Sequence, residues 1–200
     1  MSGAPAPKAP VAPNAPGAPK APGAPNAPAG VTVLGLDPGT RHFGWGVVRR
    51  VGTRLSHVAH GVVSVEGQGP LGERLVAIEA ALVDVLARFA PLEVSIESMF
   101  YAKDASSASK LAHARGVGLL VAARAGLAVF EYPPARVKRT VVGAGRADKA
   151  QVAHMIRIML ALAVTPPSDA ADALAIAVTH LQGRALPGTR LPISRAAANR

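Results

Sequence analysis

Residues 31 to 36, Val-Thr-Val-Leu-Gly-Leu, form a short and almost wholly apolar run of the kind that suits a strand buried on both faces of a sheet. The run stops at Asp37, Pro38-Gly39-Thr40 is strong turn chemistry, and Gly44 to Val48 resumes a strand pattern. The pair predicts a hairpin with a carboxylate at its root. Leu55 to Val65 reads as a third strand, with Gly61 as a candidate bulge or edge feature. The period then changes: Leu71, Leu75, Ile78, Leu82, Val85, Leu86 and Phe89 share one face of a helix over 71–89 that Pro91 ends. Leu92 to Glu97 is a fourth apolar strand, and it too finishes in a carboxylate. A helix rich in small residues follows at 104–125, a fifth strand at 127–131, and a short helix at 135–142 behind Pro133-Pro134. Val152, Met155, Ile156, Met159 and Leu160 repeat at helical spacing, and a last helix runs from Pro166-Pro167 to about Gln182. The order βββαβαβααα calls for an α/β fold: a five-stranded mixed sheet, opening as an antiparallel meander, with helices on both faces.

Composition separates the ends from this pattern. Residues 1–30 hold nine of the 18 prolines and ten alanines, with Lys8 and Lys20 as their only charges, and are expected to be a disordered, partly polyproline-like arm. Prolines interrupt any secretory apolar stretch there, and no run approaches a membrane span, so no membrane association is expected. The absence of cysteine removes disulfides and thiolate metal sites and fits a cytoplasmic location. The net charge is +10, and residues 184–200 carry four arginines and no acid, which reads as a basic flexible tail. The remaining domain, 31–183, has 16 basic and 12 acidic residues. If four of those acids gather in one site, the rest of the surface attracts polyanions, nucleic acid first among them.

The acids are the candidate chemistry. Asp37 and Glu97 each terminate an apolar strand, and in mixed sheets function collects at strand ends. Taken alone, Asp37 is served equally well by two accounts: an Asx residue capping its turn, or a carboxylate that needs a cation or donor beside it. Asp169 and Asp172 lie three apart on the last helix, about 60° apart around its axis, and project from one face. Ser168 is a good N-cap and first-turn acids favour the helix dipole, but Ala170 to Val178 is apolar apart from Asp172. A helix that apolar should be buried, and a buried acid needs compensation. Four such acids together would raise one another's pKa and weaken the fold unless cations occupied the site, and oxygen-only ligands suit magnesium or manganese rather than zinc. Histidine offers no competing site: His57 and His60, an odd number apart on a strand, are expected to face opposite ways. No phosphate-binding Gly-x-x-x-x-Gly-Lys loop or Gly-x-Ser-x-Gly elbow is present, and Gly143-Ala-Gly145 reads as a flexible turn.

Six stretches together carry a resemblance: Leu-Gly-Leu-Asp-Pro-Gly-Thr (34–40), Ile-Glu-Ser-Met-Phe-Tyr-Ala-Lys (96–103), Ala-Arg-Gly-Val (114–117), Phe-Glu-Tyr (130–132), Val-Lys-Arg-Thr-Val-Val-Gly (137–143) and Ser-Asp-Ala-Ala-Asp-Ala-Leu-Ala-Ile-Ala (168–177). In order and spacing over 31–183 they closely resemble the RuvC family of bacterial Holliday junction resolvases. The resemblance implies a ribonuclease H-like fold and carries the family's four catalytic, metal-binding acids onto Asp37, Glu97, Asp169 and Asp172. It places junction-binding lysines at Lys138 and Lys149 and a junction-facing aromatic at Phe100, and it implies docking onto the RuvA-RuvB branch-migration complex. The arm and tail are departures, as are Ser98 and His113, where glutamine is expected in better-known relatives.

On that footing, two Mg2+ per subunit (or Mn2+), about 4 Å apart, are expected to support in-line hydrolysis leaving a 5′ phosphate and a 3′ hydroxyl. Arg136, Arg139 and Arg146 are expected to join Lys138 and Lys149 on phosphates, and Phe100 to stack on an unpaired base. Resolving a four-way junction needs two symmetric nicks, which a two-fold homodimer supplies, and the small-residue face of Ala105, Ala108, Ala112 and Gly116 suits close helix packing, between subunits or internally. The rivals are an actin-like or sugar-kinase nucleotide fold, for which the chain is too short, and a non-catalytic DNA-binding relative.

Overall fold

A computed structural model describes residues 30–67, 69–98 and 105–184; the Pro/Ala-rich arm, Phe100 and the chain beyond Arg184 lie outside the described residues. Strands β1 (Val31–Asp37), β2 (His42–Val51) and β3 (Arg54–Ser64) form the antiparallel meander, and β4 (Glu93–Glu97) and β5 (Ala128–Tyr132) add to it in parallel, in the order β3-β2-β1-β4-β5. Alternation along β1 sends Leu34 and Leu36 to one face and Val31, Val33, Gly35 and Asp37 to the other. The first face packs on α1 (Leu71–Phe89) and α2 (Ala105–Arg124), with Phe43, Val47, Ile78, Leu82, Val94 and Ile96 at its centre. Ala90 takes a left-handed conformation and closes α1 by donating to the Leu86 carbonyl, just ahead of Pro91.

The second face carries α3 (Pro134–Val142), α4 (Lys149–Met159) and α5 (Ser168–Gly183). Ala170, Ala171 and everything from Ala173 to Leu181 are buried, as the apolar sequence of that helix requires. At its C-terminal end the buried guanidinium of Arg50 donates to the carbonyls of Leu181 and Arg184, satisfying groups that the helix leaves without partners. Nearby, His180 lies between the Tyr132 hydroxyl (2.8 Å) and Glu93 (2.7 Å), and Glu93 also meets Arg184 at 2.9 Å. This chain of contacts ties α5 to both parallel strands.

Three local expectations are corrected. The bulge of β3 falls at Val58, where the register against β2 jumps from Val47/Ala59 to Val48/His57, and Gly61 has a different reason. A Cβ on Gly61 would come within 2.7 Å of the Trp45 ring. The bulge inserts one residue, reverses the parity beyond it, and so puts His57 and His60 on the same face with Nε2 and Nδ1 2.8 Å apart. Burial holds both rings below their ordinary pKa, with each other's proximity adding to the effect on His57. Gly143 is the left-handed C-cap of α3 (φ 83°), its N–H donating to the Arg139 carbonyl, rather than part of a loose turn.

Candidate active site

β1 and β4 are parallel neighbours that end level: Leu36 pairs with Ile96, so Asp37 and Glu97 are the next residues out, both on the face covered by α5. What brings α5 onto them is a set of missing side chains. A Cβ on Gly35 would come within 2.0 Å of the Ala173 carbonyl oxygen, and one on Gly44, which pairs with Asp37, within 2.0 Å of that of Asp169. The helix backbone therefore rests directly on the strands, with Asp169 and Asp172 in its first two turns beside the strand ends. Pro167, not Ser168, occupies the N-cap of α5 and supplies no side-chain cap, so the capping reading of this acidic turn fails.

The cation paired with Asp172 comes from α4. Asp148 and Gln151 form a reciprocal capping box, Gln151 N–H to Asp148 Oδ1 at 2.8 Å and Asp148 N–H to Gln151 Oε1 at 3.0 Å. That box fixes the start of α4 and with it Lys149, the first helical residue, whose Nζ lies 3.1 Å from Asp172 Oδ2. Between β1, β4 and these helices is a cavity of about 200 Å³ lined by Asp37, Glu97, Asp172, Lys138 and Lys149, with apolar walls from Val137, Val152 and Ile176.

Electrostatics within the cavity are dominated by burial. Asp37 is pushed up to about 8 by desolvation first, then by the charges of Asp172, Glu97 and Asp169, with only Lys149 opposing. Glu97 is raised for the same reasons, burial and then Asp172, against Lys149 and Lys138. For Lys149 burial works against the charge, but Asp172, Asp37 and Asp169 outweigh it and hold the ammonium above its ordinary value. The pocket thus has an unmet demand for positive charge.

The cavity brings together three of the four expected acids and both lysines. Asp169 is half-buried and does not line it, although its charge reaches Asp37 and Lys149. Arg139 and Arg146 are exposed outside its wall, and Arg136 lies over the Tyr132 ring, 5.0 Å from the centroid. Three contributors escaped the sequence reading. The glycines at 35 and 44 acquire their meaning only once strands and helix are paired. The capping box was legible as Asp-x-x-Gln before an apolar-periodic helix. Arg115 of α2 carried no signal of its own, yet its Nη2 meets Glu131 at 2.7 Å and its Nε points at the Glu97 carbonyl at 3.4 Å, holding the ends of β4 and β5. At the two departures, Ser98 has a buried hydroxyl with no partner among the described residues, while His113 is exposed, with Nδ1 2.7 Å from the Ser109 carbonyl.

A mixed sheet in this order, with carboxylates ending its two adjacent parallel strands and a helix bringing further acids across them, is a ribonuclease H-like fold of the resolvase kind. The sequence profile described as Crossover junction endodeoxyribonuclease RuvC matches residues 33–180, and the chain belongs to that family. It is 54% identical over 172 residues to the crossover junction endodeoxyribonuclease RuvC of Sorangium cellulosum, covering 84% of this chain and 96% of that one. The corresponding protein of Azorhizobium caulinodans is 50% identical over 154 residues, covering 77% and 91%. Among solved structures, T. thermophilus RuvC in complex with Holliday junction substrate superposes with a TM-score of 0.71 at 40% identity, over 76% of this chain and 93% of that one. The resemblance in sequence and the fold class expected from it are borne out.

Proposed function

We propose that this protein is an endodeoxyribonuclease that resolves four-way DNA junctions by paired symmetric nicks, with Asp37, Glu97, Asp169 and Asp172 as its catalytic carboxylates and residues 31–183 as the nuclease unit. The observation that carries the reading is the meeting of Asp37, Glu97 and Asp172 in one cavity, where burial and the neighbouring acids push Asp37 up to about 8 and added positive charge favours its ionised form near neutral pH. The donor set fits hard divalent cations: every acidic ligand is a carboxylate oxygen, and no thiol or imidazole lines the cavity. Two Mg2+, with Mn2+ as a substitute, are the ions we assign to it. When bound they supply a nucleophile at neutral pH and stabilise the charge that develops on the leaving oxygen. The protein's own part is to hold ionised oxygens in place, to keep the site narrow between apolar walls, and to present Lys138 and Lys149 to phosphates. Lys149 neutralises Asp172 in the meantime.

The family and the surface support a reading of substrate and assembly. A relative's structure holds a Holliday junction, and we extend that substrate to this chain, with Phe100, Arg136, Arg139 and Arg146 as further junction contacts. Two nicks on opposing strands need two sites, and a two-fold homodimer provides them. On α2, Ala112 and Gly116 are exposed, and a Cβ on Gly116 would meet nothing within 4 Å, so this stripe is available to a second copy. Cooperation with a RuvA-RuvB branch-migration complex in the cytoplasm completes the proposal; no helix among the described residues is long and apolar enough to cross a membrane.

The test is magnesium-dependent nicking of a four-way junction beside a linear duplex of the same sequence. Junction-selective cuts at symmetric positions, with 5′ phosphate ends, are expected. Equal cutting of both substrates, or cutting undiminished in EDTA, would refute it.

A further inference from the structure

The Val58 bulge brings together two imidazoles that do not line the carboxylate cavity. His57 and His60 pair with Val48 and Gly46 of β2, whereas Asp37 pairs with Gly44, two residues before Gly46 on that strand. Their facing nitrogens, Nε2 of His57 and Nδ1 of His60, are 2.8 Å apart, the ring centroids 4.9 Å apart and the rings inclined at 59°. Both side chains are half-buried at the free edge of the sheet, which limits their motion while leaving them reachable. Neither ring is ion-paired with a carboxylate among the described residues. His57 also borders an open groove of about 590 Å³ between β3 and the end of α4, lined by Arg54, Leu55, Met159 and Leu162 among others, so water has access to the pair.

We propose that His57 and His60 form a bidentate site for a divalent transition ion of tetragonal preference, nickel(II) or copper(II), separate from the carboxylate centre. Two nitrogens bonded to one ion at about 2.05 Å lie about 2.9 Å apart when cis at a right angle, but about 3.3 Å apart at the tetrahedral angle. The observed 2.8 Å is that of a ring-to-ring hydrogen bond and also lies close to the cis edge of a square-planar or octahedral ion, the geometry of Cu(II) and Ni(II). Binding requires both facing nitrogens to present lone pairs. The one hydrogen now shared between the rings moves to the remote nitrogen of its own imidazole, a change of tautomer with no change of charge, and water from the groove fills the remaining positions. Magnesium, which prefers oxygen ligands and sheds its water reluctantly, does not compete here. The ion would clip the bulged edge strand across its irregular point, so β3 gains rigidity where its ladder is broken.

The experiment is calorimetric titration of NiCl2 into the untagged protein held in millimolar Mg2+, which competes for the carboxylates. One saturable equivalent per chain is expected, weakened at least tenfold by His57→Ala and equally by His60→Ala, and unaffected by His154→Ala or Asp37→Asn. The copper(II) form should show hyperfine structure from two imidazole nitrogens in its electron paramagnetic resonance spectrum, reduced to one or none in either variant. His60→Asn, with far-UV circular dichroism and Mg2+-dependent nicking as checks of folding, guards against a misfolded alanine variant. Absence of a saturable nickel equivalent, or nickel binding that survives both histidine variants, overturns the proposal.

Discussion

Gly44 of β2 lies against the first turn of α5 so closely that a Cβ there would come within 2.0 Å of the Asp169 carbonyl oxygen. The obstacle is backbone, which cannot rotate aside as a side chain would, so any larger residue must lift the helix end that carries Asp169 and Asp172. Gly44→Ala should cost about 1 to 3 kcal/mol in urea denaturation, the usual range for overpacking. Because it moves the acids relative to Asp37, junction cutting should fall at least tenfold while most of the fold survives. An alanine variant that cut at the wild-type rate would mean that the helix position is not critical.

The Asp37 carboxyl fixes a pH dependence for the metal-free protein. Its ordinary value is 3.8 and its folded value about 8, so between those limits the folded chain holds a proton that the unfolded chain has released. Stability in EDTA should therefore fall as pH rises from about 4 to about 8, with Glu97 adding in the same direction. Thermal unfolding at pH 5, 7 and 8.5 checks this. Asp37→Asn should flatten the trend and raise the melting temperature at pH 8.5, and millimolar Mg2+ should do the same for wild type.

Lys149 separates binding from stability. Its side chain is 67% exposed, and a bridge that open is worth at most about 1 kcal/mol, so Lys149→Ala should barely change the melting temperature. If it contacts phosphate, junction affinity should drop and the slope of log K against log salt should become shallower by about one unit. Lys138→Ala should behave alike. Unchanged salt dependence in both variants would remove them from the DNA contact.

His180 offers the opposite case. It is 3% exposed and holds both the Tyr132 hydroxyl and Glu93, so His180→Ala opens a cavity and takes a partner from the buried Tyr132 and from the half-buried Glu93, which keeps Arg184. A loss of about 2 to 5 kcal/mol is expected by chemical denaturation. Tyr132→Phe removes a single hydrogen bond and should cost about 1 kcal/mol.

The strand ends and the buried helix were legible because apolar runs interrupted by one acid are rare and local: Asp37, Glu97 and the Asp169/Asp172 pair needed no knowledge of tertiary contacts. Element boundaries shifted by one to three residues, β2 running on to Val51, because element ends fade gradually in sequence. His57 and His60 were misread because counting parity along a strand assumes an unbroken ladder, and the extra residue at Val58 is invisible until the partner strand is known. Likewise Gly35 and Gly44 look like ordinary strand residues, and only the approach of α5 gives the missing side chains a purpose. Arg115 reaches across from another element to Glu97 and Glu131, a relation no local pattern encodes.

The most direct measurement is single-turnover cutting of a labelled four-way junction in Mg2+ by wild type and by Asp37→Asn, Glu97→Gln, Asp169→Asn and Asp172→Asn, with junction affinity determined in parallel. Each substitution should reduce the cutting rate by about a hundredfold or more, as loss of an essential charge-stabilising group does, while affinity stays within a few-fold of wild type. A variant that binds and cuts at the wild-type rate would contradict a shared carboxylate centre.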